Sequence, residues 1–155
     1  MSHTISKVYI HLVFAVRYRR HSIRSEWEAE LHRYITGIFR NKGQDVLAIN
    51  GMPDHLHIFF MMRPTCILAD LVREVKKAST VFINGKFYPV TKFRWQEGYG
   101  AFSYSSGQVD TVIRYIQNQK EHHQKKSFKE EYLEFLEYFQ VAYSEEELSR
   151  WLDGA

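Results

Sequence analysis

The sequence predicts an α+β fold, a split β-α-β sandwich with an antiparallel sheet, helices on one face and a further C-terminal helix that bears a tyrosine. Three observations predict it. Runs rich in β-branched and aromatic residues alternate with amphipathic stretches in the order β-α-β-β-α-β. Breakers separate the runs: Gly43, the turn Gly51-Met52-Pro53-Asp54, and Pro64. Helical periodicity then resumes after Gly107 and again near Lys129. Ferredoxin-like and RNA-recognition folds share this order, so the fold class alone leaves function open.

Each element has its own signal. Lys7–Arg17, KVYIHLVFAVR, reads as a buried strand. Glu26–Lys42 places Trp27, Leu31, Tyr34, Ile35 and Ile38 at helical spacing, with Ser25 as the expected cap and Gly43 as the stop. Asp45–Asn50 is a short second strand, and the turn after it leads into a strand over Asp54–Met62. Ile67–Asn84 is a helix with Leu68, Leu71, Val72 and Val75 on one side, and Phe93–Ser103 is strand-like around Trp95. The last two helices are expected over Gln108–Gln124 and about Lys129–Phe139.

A chain of 155 residues, 45% of them hydrophobic, suits one domain with a substantial core, here taken as residues 1–155. No run approaches the roughly 20 apolar residues of a membrane helix, so no membrane partner is expected. The N-terminus lacks the layout of a secretory signal. One cysteine, Cys66, excludes an internal disulfide and a cysteine-based zinc site, and a reduced cytoplasmic setting is the default. A net charge of +3 argues little, but its distribution says more. Arg17, Arg19, Arg20 and Arg24 follow the first strand, and Lys120, Lys125 and Lys126 follow Tyr115. Such clusters fit either a nucleic-acid surface or a solvated face.

The most specific local feature is MPDHLHIFFMM, Met52–Met62. Strand side chains alternate, so His55 and His57 point the same way with Cα atoms roughly 6–7 Å apart. They read either as polar residues at one end of the sheet or as two ligands of a shared metal, each needing a partner to orient its other nitrogen. Two rival readings fail on residues. Histidine-triad hydrolases need a third alternating histidine, where Phe59 stands, and two-histidine phosphoesterases need His-x-Thr/Ser, where His57-Ile58-Phe59 stands.

In Gln108–Gln124, Val109, Val112, Ile113 and Ile116 form the apolar stripe. At about 100° per residue, Tyr115, Gln119 and His122 lie together at its boundary. Tyr115 is either an ordinary amphipathic tyrosine or a nucleophile. Gln119 at i+4 could reach a metal that Tyr115 approaches, and His122 and His123 could substitute as ligands or stand at a DNA surface.

Three blocks in this order, GMPDHLHI from Gly51, WQEGYGAFS from Trp95 and YIQNQKEHHQKK from Tyr115, resemble the IS200/IS605-type single-tyrosine transposases of the HUH endonuclease superfamily. The likeness runs from about Tyr9 to Phe139. It implies His55, His57 and Gln119 as ligands of a divalent metal, Mg²⁺ or Mn²⁺, and Tyr115 as nucleophile. It implies bacterial, nucleoid-associated work on single-stranded DNA with hairpins at the ends of an insertion element. It also implies a homodimer, with the active site either within one subunit or shared between two. Gly107 reads as a hinge for such sharing or as a plain turn. The absence of a region for an added domain matches the minimal transposases, and repeat-associated members share the same motifs.

The implied chemistry is cleavage and rejoining through a covalent 5′-phosphotyrosine. A phenol ionises near pH 10, so Tyr115 needs help at neutral pH, and a metal on the imidazoles would stabilise charge at the scissile phosphate. Two imidazoles and a neutral amide include no carboxylate. The expectation is therefore weak Mg²⁺ binding until DNA phosphate joins, with Mn²⁺ the better match. Arg17, Arg19, Arg20, Lys76 and Lys77 are the expected DNA contacts. The alternative is a non-catalytic or domesticated hairpin-binding protein on the same fold, for which Gly98-Tyr99-Gly100-Ala101-Phe102 offers only a loose RNA-recognition echo.

Overall fold

The computed structural model describes residues 3–88, 90 and 92–153. The first six elements follow in the predicted order: β1 (Tyr9–Ala15), α1 (Glu28–Asn41), β2 (Asp45–Met52), β3 (His55–Met61), α2 (Leu68–Lys86) and β4 (Gly100–Tyr104). The sheet runs β2-β3-β1-β4 with every neighbouring pair antiparallel. Four helices follow: α3 (Val109–Gln117), the single turn α4 (Gln119–His122), α5 (Phe128–Tyr138) and α6 (Glu145–Asp153).

Alternation along the two central strands sorts side chains between two layers. Leu12 and Phe14 of β1 and Leu56, Ile58 and Phe60 of β3 pack against Leu31, Ile35 and Phe39 of α1 and Leu71, Val72 and Val75 of α2. On the opposite face, Ala48 and Phe59 meet Val112 and Ile116 of α3. Val13, Ala15 and Phe102 meet Phe128, Tyr132 and Leu136 of α5 and Leu152 of α6. The sheet is thus covered on both faces, the second by the tyrosine-bearing helix together with α5 and α6. Helix α6 opens on three consecutive glutamates, Glu145, Glu146 and Glu147, for which the sequence predicts no element.

Several boundaries differ from expectation for local reasons. The first strand stops at Ala15 because the chain turns: Tyr18 and Arg19 adopt left-handed backbone at φ 59° and 48°. Trp95 makes only an isolated bridge to Val16, and the continuous strand begins at Gly100. Ser25 does not cap α1, whose N-cap position is Trp27, with no side-chain cap hydrogen bond. The long helix expected over Gln108–Gln124 breaks at Asn118, where ψ swings to 20°, and this re-aims everything after Gln117.

The β2–β3 turn has no slack. A Cβ on Gly51 would lie 2.3 Å from the His55 carbonyl oxygen, so only glycine lets the two backbones close here. In β3, His55 pairs with Ala15 and His57 with Val13. The histidines therefore sit at the end of β1 from which the arginine turn departs.

Candidate active site

His55, His57, Tyr115 and Gln119 come together on the second face of the sheet, beneath α3, α4 and α5. Both histidines and Gln119 are fully buried, and Tyr115 is partly exposed. At their centre is a residue that the sequence reading did not select, Glu131 of α5, also buried. Its Oε1 lies 3.0 Å from His57 Nε2, 3.2 Å from His123 Nε2 and 3.5 Å from His55 Nε2. Its Oε2 accepts hydrogen bonds from the Tyr115 hydroxyl and from Gln119 Nε2, the latter at 3.1 Å, with His122 Nε2 3.4 Å away.

Local sequence explains how Glu131 gets there. Ser127 caps α5, its hydroxyl accepting from the Glu130 backbone N–H while the Glu130 side chain reaches back to Ser127. With the start fixed, Phe128, Glu131, Tyr132 and Leu136 fall on the buried stripe. A carboxylate at i+3 from Phe128, on an otherwise apolar face, was the available signal.

The outer nitrogens of the imidazoles are also held. His55 Nδ1 donates to Asp54 Oδ1 at 2.7 Å, and His123 Nδ1 donates to the Lys126 carbonyl at 2.8 Å. His57 Nδ1 shares a 2.8 Å hydrogen bond with Nε2 of His11, a buried residue of β1. These are the orienting partners that the sequence could not name. Gln119 turns its Oε1 toward His55 Nε2 at 3.3 Å.

The electrostatics follow from burial and proximity. Burial alone would raise the Glu131 pKa, but the surrounding His57, His123 and His55 hold it far below the usual carboxylate range. Burial and the adjacent Glu131 charge push the Tyr115 phenol well above its ordinary value. Burial lowers His55 against the pull of Asp54, and lowers His11 strongly. For His123 burial is outweighed by the Glu131 hydrogen bond and charge, which raise it.

The donor set fits a metal ion. Nitrogens of His55, His57 and His123 and an oxygen of Glu131 all lie within 4.8 Å of one another. Three imidazoles and a carboxylate suit borderline transition cations, with the Gln119 amide oxygen beside them. This candidate donor set includes a carboxylate, brought in by α5, that the expected set of two imidazoles and an amide does not contain.

The expected DNA contacts divide into two places. Arg17, Arg19 and Arg20 form the turn beyond β1. Arg17 and Arg20 lie over the exposed Tyr18 ring at 5.1 and 5.5 Å. Val16 N–H donates to the Asp54 carbonyl, which ties this turn to the histidine end of the sheet. Lys76 and Lys77 are on α2, against the other face, and do not approach the histidines. Lys76 donates to the carbonyls of Gln96 and Gly98 at 2.8 and 2.6 Å, and burial lowers it to about 8. Lys77 lines a surface groove of about 540 Å³ with Arg73, Arg94, Trp95 and Tyr99. A second groove, of about 500 Å³, opens beside Tyr115 between Asn118, His122, Lys125 and Lys126.

A sequence model of the family described as "Transposase IS200 like" matches residues 4–119, three quarters of the chain. The chain belongs to the IS200-like transposases. It is 26% identical over 117 residues to the ISDra2 transposase TnpA of Deinococcus radiodurans, covering 70% of this chain and 81% of that protein. Its fold matches a crystal structure from Deinococcus radiodurans assigned as a transposase. The TM-score is 0.63 at 23% identity, over 77% of this chain and 95% of the other. It also matches a REP-associated tyrosine transposase bound to a REP hairpin, with TM-score 0.59 at 17% identity, over 79% and 72%. The α+β architecture is thus that of the IS200-like transposases, and among the described residues no helix is long and apolar enough to cross a membrane.

Proposed function

We propose that this chain is a metal-dependent single-strand DNA endonuclease and strand transferase that cuts and rejoins hairpin-containing ends of a mobile element. The observation that carries this reading is the placement of the Tyr115 hydroxyl on the same carboxylate that His57 touches, with a lysine-lined groove outside it. The hydroxyl faces the candidate ligands on one side and a route for a phosphate backbone on the other.

In the proposed reaction the Tyr115 oxygen attacks the scissile phosphate. Its bond to phosphorus forms as the bond from phosphorus to the 3′ oxygen breaks. The phenol proton has an acceptor in Glu131 Oε2, already in hydrogen-bond contact, and the departing 3′ oxygen takes up a proton to leave a hydroxyl. A divalent ion, Mg²⁺ or Mn²⁺, held by His55 and His57 with Gln119, would supply charge stabilisation at the phosphate oxygens. The phosphotyrosine conserves the bond energy, so the 3′ hydroxyl of a second end can reverse the step without ATP. Lys125 and Lys126 guide phosphate to Tyr115, and the Arg17–Arg20 turn with Tyr18 holds unpaired bases near Asp54. The groove of Arg73, Lys77 and Arg94 is assigned to the hairpin.

The groups named above come together within one chain, and a homodimer would pair two such sites to hold two element ends.

The test is a denaturing gel of purified protein with single-stranded DNA from both flanks of its own gene and Mn²⁺, beside Tyr115→Phe and His57→Ala. A slow protein–DNA band lost in both variants supports the nuclease. Tight hairpin binding with no such band would instead favour a domesticated binding protein.

A further inference from the structure

The two-histidine-plus-amide ligand set implied by family resemblance leaves His123 and Glu131 without a role, and both lie beyond residues 4–119. Their geometry is specific. On His55 and His123 the Nδ1 hydrogens are committed to Asp54 and to the Lys126 carbonyl, so the Nε2 lone pairs point inward. Both point at one oxygen, Glu131 Oε1, at 3.5 and 3.2 Å, and His57 Nε2 meets the same oxygen at 3.0 Å. Gln119 Oε1, also an acceptor, faces His55 Nε2 at 3.3 Å. Lone pairs converging on a carboxylate repel one another unless a proton or a metal cation stands among them. A cation with bonds of about 2.0–2.2 Å sets tetrahedral ligands roughly 3.3–3.6 Å apart, close to the 3.0–3.5 Å that separate Glu131 Oε1 from the three ring nitrogens, and the four ligand atoms all lie within 4.8 Å of one another.

We infer that His123 and Glu131 are metal ligands, so that this chain holds a divalent transition ion through three imidazoles and a carboxylate before any DNA binds. This rests on the metal-dependent reading above and changes its order of events: the ion is resident in the free protein instead of arriving with the phosphate. The donor set also sets a preference. Imidazole nitrogens favour Zn²⁺ most, and Mn²⁺ accepts them more readily than Mg²⁺, which prefers oxygen ligands and retained water. The carboxylate offsets one of the ion's two charges inside a buried site, which the neutral amide cannot do.

The test is calorimetric titration of the metal-free, DNA-free protein with Mn²⁺ and with Mg²⁺, repeated on Glu131→Gln, His123→Asn and His57→Ala. Electron paramagnetic resonance of Mn²⁺ gives the free-ion concentration independently, and circular dichroism confirms that each variant is folded. The expected result is one Mn²⁺ per chain, bound at least tenfold more tightly than Mg²⁺. Mn²⁺ binding should weaken about 100-fold in Glu131→Gln and at least tenfold in His123→Asn, and be lost in His57→Ala. If Glu131→Gln and His123→Asn bind Mn²⁺ like the parent while His57→Ala does not, the inference is overturned and the two-histidine centre stands. If the free parent protein binds no Mn²⁺ and does so only with DNA present, the inference is again overturned and the metal-dependent reading survives. Absence of Mn²⁺ binding with and without DNA would overturn both.

Discussion

The Tyr115 hydroxyl donates to Glu131, the same carboxylate whose other oxygen lies 3.0 Å from His57 Nε2. A residue of α5 thereby links the candidate nucleophile on α3 to the histidine pair on β3. The link holds the phenol protonated at rest, since a nearby negative charge and burial both oppose phenolate. Nucleophile and metal site are consequently one electrostatic unit, and substitutions at either should be felt at the other.

Tyr115→Phe removes the attacking oxygen and leaves the ring, which packs against Phe135 at a centroid distance of 5.9 Å. Covalent adduct on denaturing gels should fall on the order of 10³-fold or more, with hairpin affinity within a few-fold of the parent. An adduct that persists would point to another tyrosine.

Asp54→Asn should weaken Mn²⁺ binding by roughly tenfold without unfolding the protein. The amide oxygen can still accept from His55 Nδ1, but the charge that raises the basicity of that ring is gone. Calorimetry on the free protein reads this directly, and an unchanged affinity would remove His55 from the ligand set.

Gly51→Ala has no room for its methyl group, which would lie 2.3 Å from the His55 carbonyl oxygen and 3.0 Å from the Leu56 Cα. Backbone, not a flexible side chain, must move. A loss of about 1–3 kcal/mol in urea denaturation is expected, together with weaker Mn²⁺ binding because β3 carries His55 and His57.

His32 of α1 supplies a pH dependence remote from the site. Burial lowers its pKa from about 6.5 to about 4. Above pH 6.5 the ring is neutral in both folded and unfolded chains and has no effect. Below that, the unfolded chain takes up the proton first, so stability falls as pH drops and levels off once the folded form is protonated, near 4. Comparing the melting temperature of the parent and His32→Gln from pH 7.5 to 4 should show the variant losing less. Parallel curves would mean that His32 is solvated in the native state.

Local periodicity made much of this protein legible in its sequence. Alternation along a strand put His55 and His57 on one face, and a helical repeat put Gln119 one turn beyond Tyr115. Breakers set the βαββαβ order, because turn chemistry and periodicity are properties of a few adjacent residues. The broken helix at Asn118 was not legible, since nothing in the NQK run signals it. The acidic α6 was missed because a charged face resembles a solvated tail until Leu152 is seen packed against the sheet. His11 looked like one polar residue in a buried strand, and Glu131 like one of many glutamates on a charged helix.

What the sequence determined by itself was therefore which residues share a face within each element. Only the tertiary structure decided which faces meet, because the packing of α5 across the sheet depends on side chains far apart in the chain. That packing brings Glu131 to the histidine pair, the pairing of β1 with β3 brings His11 and the end of α4 brings His123, and burial strips away water so that the charges and lone pairs of His55, His57, His123 and Glu131 form a candidate metal centre.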